Sequence, residues 1–137
     1  MFEGSLIGDE EAEDTAEAVF AEIRERFGTV PNFFKAQAER DPHWLELNWK
    51  RWKHIMGRQG ELDRETKELI ALAVSIMNGC EYCSNAHEAM ALQSGVSEAG
   101  IAELKQVVEL FASFTRIADS LDVPVDMRPE DVCDGAD

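Results

Sequence analysis

The chain has 137 residues, 28 of them acidic and 13 basic, for a formal net charge of −15. Such a field repels nucleic-acid phosphates and anionic membrane surfaces, so neither is expected as a partner. The balance of 45% hydrophobic to 30% charged residues excludes a disordered chain, and the length predicts one domain that buries about two-thirds of its unfolded surface.

No window reaches 18 consecutive apolar residues, so no membrane span is predicted. The stretch Met1 to Phe20 is acidic and holds no Lys or Arg, the opposite of a secretory leader, and a cytoplasmic setting is expected. The acidity is also a feature of salt-adapted proteins, and loss of folded signal on removing salt would be the sign of a halophilic source. Cys80, Cys83 and Cys133 are too few, and odd in number, for a disulfide scaffold.

Long helical periodicities and the lack of strand-like alternation predict an all-α fold, a bundle of about six to seven helices. The first helix covers Glu10 to Phe27, with Val19, Phe20, Ile23 and Phe27 at helical spacing and Gly28 as a stop. Pro31 opens a short second helix to Ala38. Asp41-Pro42, an acidic cap before a first-turn proline, starts a third that carries Trp44, Leu45, Trp49, Trp52 and Met56 and stops near Gly60. Asp63 caps a fourth helix, apolar on nearly every face after Glu68 and therefore expected to be central and buried. Asn78-Gly79 breaks the chain, and a fifth helix runs from about Cys80 or Glu81 to near Gly95. Ser97 caps a short sixth segment to Leu104, and a separate seventh helix carries Val107, Phe111, Phe114, Ile117 and Leu121. The domain is read as residues 1–137, with acidic flexible ends at 1–9 and 126–137. Cys133 lies in the second of these, among acids that disfavour its thiolate, and is expected to be unreactive.

The chemistry-bearing stretch is Gly79-Cys80-Glu81-Tyr82-Cys83-Ser84-Asn85-Ala86-His87. At about 100° per residue, positions 80, 83 and 87 share one helix face within roughly 60°. Two thiols three apart can form a disulfide, and a histidine one turn on can exchange a proton. The break before Cys80 places both cysteines in a first helical turn, where unpaired N–H groups favour thiolate, Cys80 foremost. Glu68, twelve residues earlier, can face the cysteines as a base if the two helices pack side by side.

Each of these residues alone would more often be a packing residue, since free cysteine is among the most buried types. Two thiols and an imidazole on one face after a helix break favour redox chemistry. Covalent haem is excluded because Ser84, not His, follows the second cysteine. Zinc stays open as the alternative, with Cys80, Cys83 and His87 as ligands and Glu68, His43 or His54 as a fourth, although no second cluster is present.

The pattern Glu68, Cys80-Glu81-Tyr82-Cys83, His87 resembles the alkylhydroperoxidase D-like branch of the carboxymuconolactone decarboxylase family. The flanks from Lys67 to Ser75 and from Ala89 to Gly95 agree. Phe27-Gly28-Thr29-Val30-Pro31-Asn32 and Phe114-Thr115-Arg116-Ile117-Ala118-Asp119 look like the peroxidase-related subgroup. The resemblance covers about Ala18 to Pro124, the core being read as 18–124. It implies an all-α bundle assembled as trimers or hexamers, acting as a thiol-dependent hydroperoxide reductase without a cofactor. By that likeness Cys83 attacks the peroxide, Cys80 resolves the sulfenic acid, and Glu68 and His87 relay protons. A dithiol partner, lipoylated or thioredoxin-like, would reduce the disulfide. A non-redox lyase activity like that of the decarboxylase members is the further alternative; those members lack this cysteine pair.

Trp44, Trp49, Trp52 and His54 share the third helix, and core or subunit packing is favoured over a pocket wall for them. Lys50-Arg51-Trp52-Lys53 reads as a solvated basic face. Phe33-Phe34 is a candidate subunit contact, and Tyr82 faces away from the cysteines.

Overall fold

The structure, a computed structural model, describes residues 9–132. Of the two expected flexible ends, residues 1–8 and 133–137, Cys133 among them, lie outside the described residues. Every regular element among those described is a helix: α1 (Asp9–Phe27), α2 (Asn32–Arg40), α3 (Pro42–Ile55), α4 (Arg64–Met77), α5 (Glu81–Gln93), α6 (Glu98–Ser120) and α7 (Pro129–Val132). None of them is long and apolar enough to cross a membrane. The chain divides into two compact units, with the boundary between Glu61 and Leu62.

The N-terminal unit packs α1, α2 and α3 around Val19, Ile23, Val30, Phe34, Leu45 and Trp49. Ile23 and Leu45 are fully buried, so cutting either to Ala would cost about 2–5 kcal/mol. Gly28 ends α1 at a φ of +78°. Asp41 caps α3 as anticipated, its Oδ1 accepting from the backbone N–H groups of His43 and Trp44 at 3.0 and 3.3 Å, and Pro42 takes the first helical position. Trp49 ties α3 to α1, its indole N–H donating to Glu22 Oε2 at 2.7 Å. Lys53 donates to the same oxygen at 3.0 Å. The Lys53 ammonium and then the Trp49 N–H hold the Glu22 carboxyl below its ordinary range.

The C-terminal unit is built on the hairpin of α4 and α5. Asp63 Oδ1 accepts from Thr66 N–H at 2.7 Å, which starts α4. The helix stops in a Schellman turn: Cys80 N–H donates to Ser75 O and Gly79 N–H to Ile76 O, with Gly79 at a φ of +69°. Gly95 ends α5 the same way, through Val96 N–H to Ala91 O and Gly95 N–H to Leu92 O. The core here is Leu72, Ala91 and Ile101, with Leu69, Ile76, Val96 and Leu104 packed on it. Ala91 has no exposed surface, and its small side chain lets the helices approach closely.

Three expectations change. The sixth and seventh predicted helices are one, α6 (Glu98–Ser120). Residues 104–107 contain no glycine, proline or cap residue to break it, and Lys105 pairs with Glu88 of α5 at 2.9 Å. Helix α4 is not buried all round: Ile70, Val74 and Met77 are about half exposed, because α5 and α6 cover only one of its sides. In the tail, Pro129–Val132 forms one helical turn, with Asp131 Oδ2 accepting from Arg128 N–H at 2.7 Å.

Candidate active site

The Schellman turn at Gly79 decides where the cysteines stand. It hands the chain from the last turn of α4 to Cys80, the N-cap of α5, in extended conformation. Cys83 falls in the first turn, and its N–H donates to Cys80 Sγ at 3.2 Å. A cysteine sulfur thus occupies the place a Ser or Asp oxygen usually fills, at the positive end of the helix. The two sulfurs are joined as a disulfide, with Cα atoms 5.3 Å apart.

Ser75 meets Cys80 and Glu68 meets His87, two pairs of equal index sum, as an antiparallel hairpin requires. His87 Nδ1 lies 2.9 Å from Glu68 Oε2. The carboxylate is 2% exposed and the imidazole 24%. The hydrogen bond satisfies an otherwise costly buried acid and fixes one imidazole nitrogen. Cys80, Cys83, His87 and Glu68 therefore belong to one hairpin. The contact Glu68 makes is with the histidine one turn beyond the cysteines.

Two supporting features were not singled out from the sequence. Ser75, buried, holds the Cys80 N–H through its carbonyl and donates its own hydroxyl to Ala71 O at 2.7 Å. The Asn78-Gly79 pair was legible as a break, but the type of turn was not. Tyr82 and Asn85 line a shallow hollow with Glu81 and Ala86. At 100° per residue this is the face of α5 turned away from Cys83 and His87. Among the described residues no group of three or more His, Cys, Asp and Glu side chains is placed to hold a metal ion. His43 sits near Glu46, its Nδ1 4.0 Å from a carboxylate oxygen, and His54 is exposed.

The family model of the carboxymuconolactone decarboxylase family matches residues 42–126, more than half of the chain. The chain belongs to this family. All four hairpin residues lie inside the matched stretch. The chain is 44% identical over 59 residues to the alkyl hydroperoxide reductase AhpD of Azorhizobium caulinodans, a match covering 43% of this chain and 32% of that protein. It is 29% identical over 91 residues to the AhpD of Rhodococcus erythropolis, 66% of this chain and 50% of that one. It thus spans about a third to a half of the length of these curated relatives. The crystal structure of an alkylhydroperoxidase AhpD core from Rhodospirillum rubrum superimposes with a TM-score of 0.78 at 35% identity, over 92% of this chain and 95% of that one. The fold is the all-α alkylhydroperoxidase fold, as the sequence pattern implied.

Proposed function

We propose that this protein reduces organic hydroperoxides with the Cys80–Cys83 pair. The observation that carries the reading is the bonded pair at the start of α5, on the same hairpin as the Glu68–His87 contact. The names of the family relatives support it.

In the reduced protein, the Cys83 thiolate attacks the terminal oxygen of ROOH. The O–O bond breaks, Cys83 becomes a sulfenic acid, and the alkoxide leaves as ROH with a proton from the Glu68–His87 relay. Cys80 then attacks the sulfenic sulfur. An S–S bond forms and hydroxide departs as water, taking the Cys80 proton through the same relay. Condensation with a neighbouring thiol protects the sulfenic acid from further oxidation. A dithiol on a lipoylated or thioredoxin-like partner restores the pair by exchange and is itself oxidised to a disulfide. No cofactor takes part, and the setting is cytoplasmic.

The apolar faces left open on α4 (Ile70, Val74, Met77) and α6 (Phe111, Phe114, Ile117) support assembly into a homotrimer or homohexamer.

The test is thiol counting on reduced protein before and after one equivalent of hydroperoxide, with peptide mapping. Fast loss of two thiols into a Cys80–Cys83 disulfide is expected, with Cys133 still free. Thiols that react no faster than free cysteine would overturn the reading and leave non-redox chemistry on the same scaffold.

A further inference from the structure

The N-terminal unit holds a concave site that the thiol chemistry does not use. Between α2 and α3 lies an open cleft of about 400 Å³, lined among others by Phe33, Trp44, Trp52 and Ile55, with Asn48 and Arg51 as its polar members. Its size and its lining, aromatic with few polar groups, are those of small-molecule sites. Positions 44, 48, 51, 52 and 55 recur at three- and four-residue steps, so they form one face of α3.

The polar members are ordered from the core outward. Gln37, 5% exposed, donates to Phe33 O at 3.3 Å and accepts from Asn48 Nδ2 at 2.9 Å. The Asn48 carbonyl then accepts from Arg51 Nη1 at 3.3 Å. That contact uses one of the five N–H donors of the guanidinium. Among the described residues no carboxylate lies within ion-pair distance of Arg51, in a chain with 28 acids against 13 bases. The lysines beside it are taken, Lys50 by Glu46 and Lys53 by Glu22. The inner wall is pre-formed. Trp52 stacks on Trp49 with centroids 5.1 Å apart and an interplanar angle of 6°, and the Arg26 guanidinium lies 5.0 Å from the Trp52 centroid.

We propose that this cleft binds a small planar aromatic carboxylate. The ring packs among Trp44, Trp52 and Phe33, and the carboxylate pairs with the Arg51 guanidinium. A guanidinium matches a carboxylate in two-point geometry, and rigid rings give flat apolar area without much ordering cost. An inorganic anion would leave the aromatic walls unused, and a neutral ring would leave Arg51 without its anion.

Calorimetric titration of the full chain with 2-naphthoate, and with 2-naphthylmethanol as the neutral counterpart, tests this. Saturable binding of naphthoate at one per chain is expected, about tenfold tighter than the alcohol, the worth of a charge-assisted hydrogen bond on a partly exposed site. Arg51→Gln should bring naphthoate down to the level of the alcohol and leave the alcohol unchanged, with Arg51→Lys in between. Trp44→Ala should weaken both. No saturable binding, equal affinity for the two probes, or a naphthoate preference that survives Arg51→Gln would overturn the proposal. So would a change of oligomeric mass in Trp44→Ala with probe affinity unchanged, which would mark the cleft as a face between copies of the chain.

Discussion

Glu68 and His87 meet across the α4–α5 hairpin at 2.9 Å, the acid buried and the imidazole a quarter exposed. The pair joins the interior of the hairpin to the helix face that bears the cysteines. Glu68→Gln keeps the size and burial of the side chain and removes its capacity to take a proton. The rate of hydroperoxide-driven thiol loss should fall by about 10² or more, the usual worth of a positioned acid–base group, and its pH profile should flatten. An unchanged rate and profile would remove Glu68 from the proposed relay.

His87→Ala leaves the Glu68 carboxylate buried without its partner. A loss of about 3 kcal/mol in unfolding free energy is expected at pH 7, at the lower end for a broken buried pair because the imidazole is partly exposed. Urea melts of His87→Ala and of Glu68→Gln/His87→Ala separate the two terms. The double variant should recover part of the loss, since it no longer buries a lone carboxylate.

The thiols divide their roles differently by family likeness and by local electrostatics. Likeness makes Cys83 the attacking residue, whereas the N-cap position and the N–H donated to its sulfur favour the Cys80 thiolate. With Cys80→Ser, a dimedone-trappable sulfenic acid should accumulate on Cys83 after one equivalent of hydroperoxide. With Cys83→Ser, none should form on Cys80 at a comparable rate. The reverse pattern in mass spectra would assign attack to Cys80.

Gly79 carries a φ of +69°, and a Cβ built there meets nothing within 4 Å. The cost of Gly79→Ala is therefore backbone strain alone, about 1 kcal/mol. Because Gly79 sets the turn that delivers Cys80, the variant should also slow disulfide formation more than its small stability loss explains. Thermal melts and thiol-loss rates on the same samples compare the two effects.

Glu22 gives a pH prediction. Its carboxyl is held below its ordinary range by Lys53 first and Trp49 second. A lowered folded value means the contribution is full above about pH 4.5 and is lost as pH falls through that lowered value. Glu22→Gln should be less stable than the parent at pH 7, with the difference vanishing in acid. Both Glu22 and Lys53 are more than a third exposed, which limits the effect to below about 1 kcal/mol. Chemical melts at pH 7 and pH 3 read it directly.

The half-exposed Phe114 on α6 separates an assembled from a single-chain state. Phe114→Asp should leave the helical circular dichroism of the chain intact and shift its mass in light scattering from a multiple to a single chain. If the parent already runs as a single chain, the proposed trimer or hexamer is wrong.

Much of the secondary structure was legible because its causes are local. The Asp41, Asp63 and Ser97 caps, Pro42 in a first turn, and the glycine stops at 28, 79 and 95 act within four or five residues. The boundary drawn inside α6 failed for the same kind of reason: Lys105 and Gln106 interrupt the apolar pattern but break no backbone hydrogen bond.

The residue spacing alone put Cys83 and His87 on one helix face, since a four-residue step on one helix needs no partner, whereas Cys80 stands just before that helix as its extended N-cap. The contact of Glu68 with His87, the half-exposed apolar side chains on α4, and the place of Arg51 on Asn48 beside an aromatic cleft came from packing. Those outcomes depend on which helix faces meet. Helix pairing is chosen by the summed burial of many side chains along the whole element, a quantity that no short stretch of sequence carries.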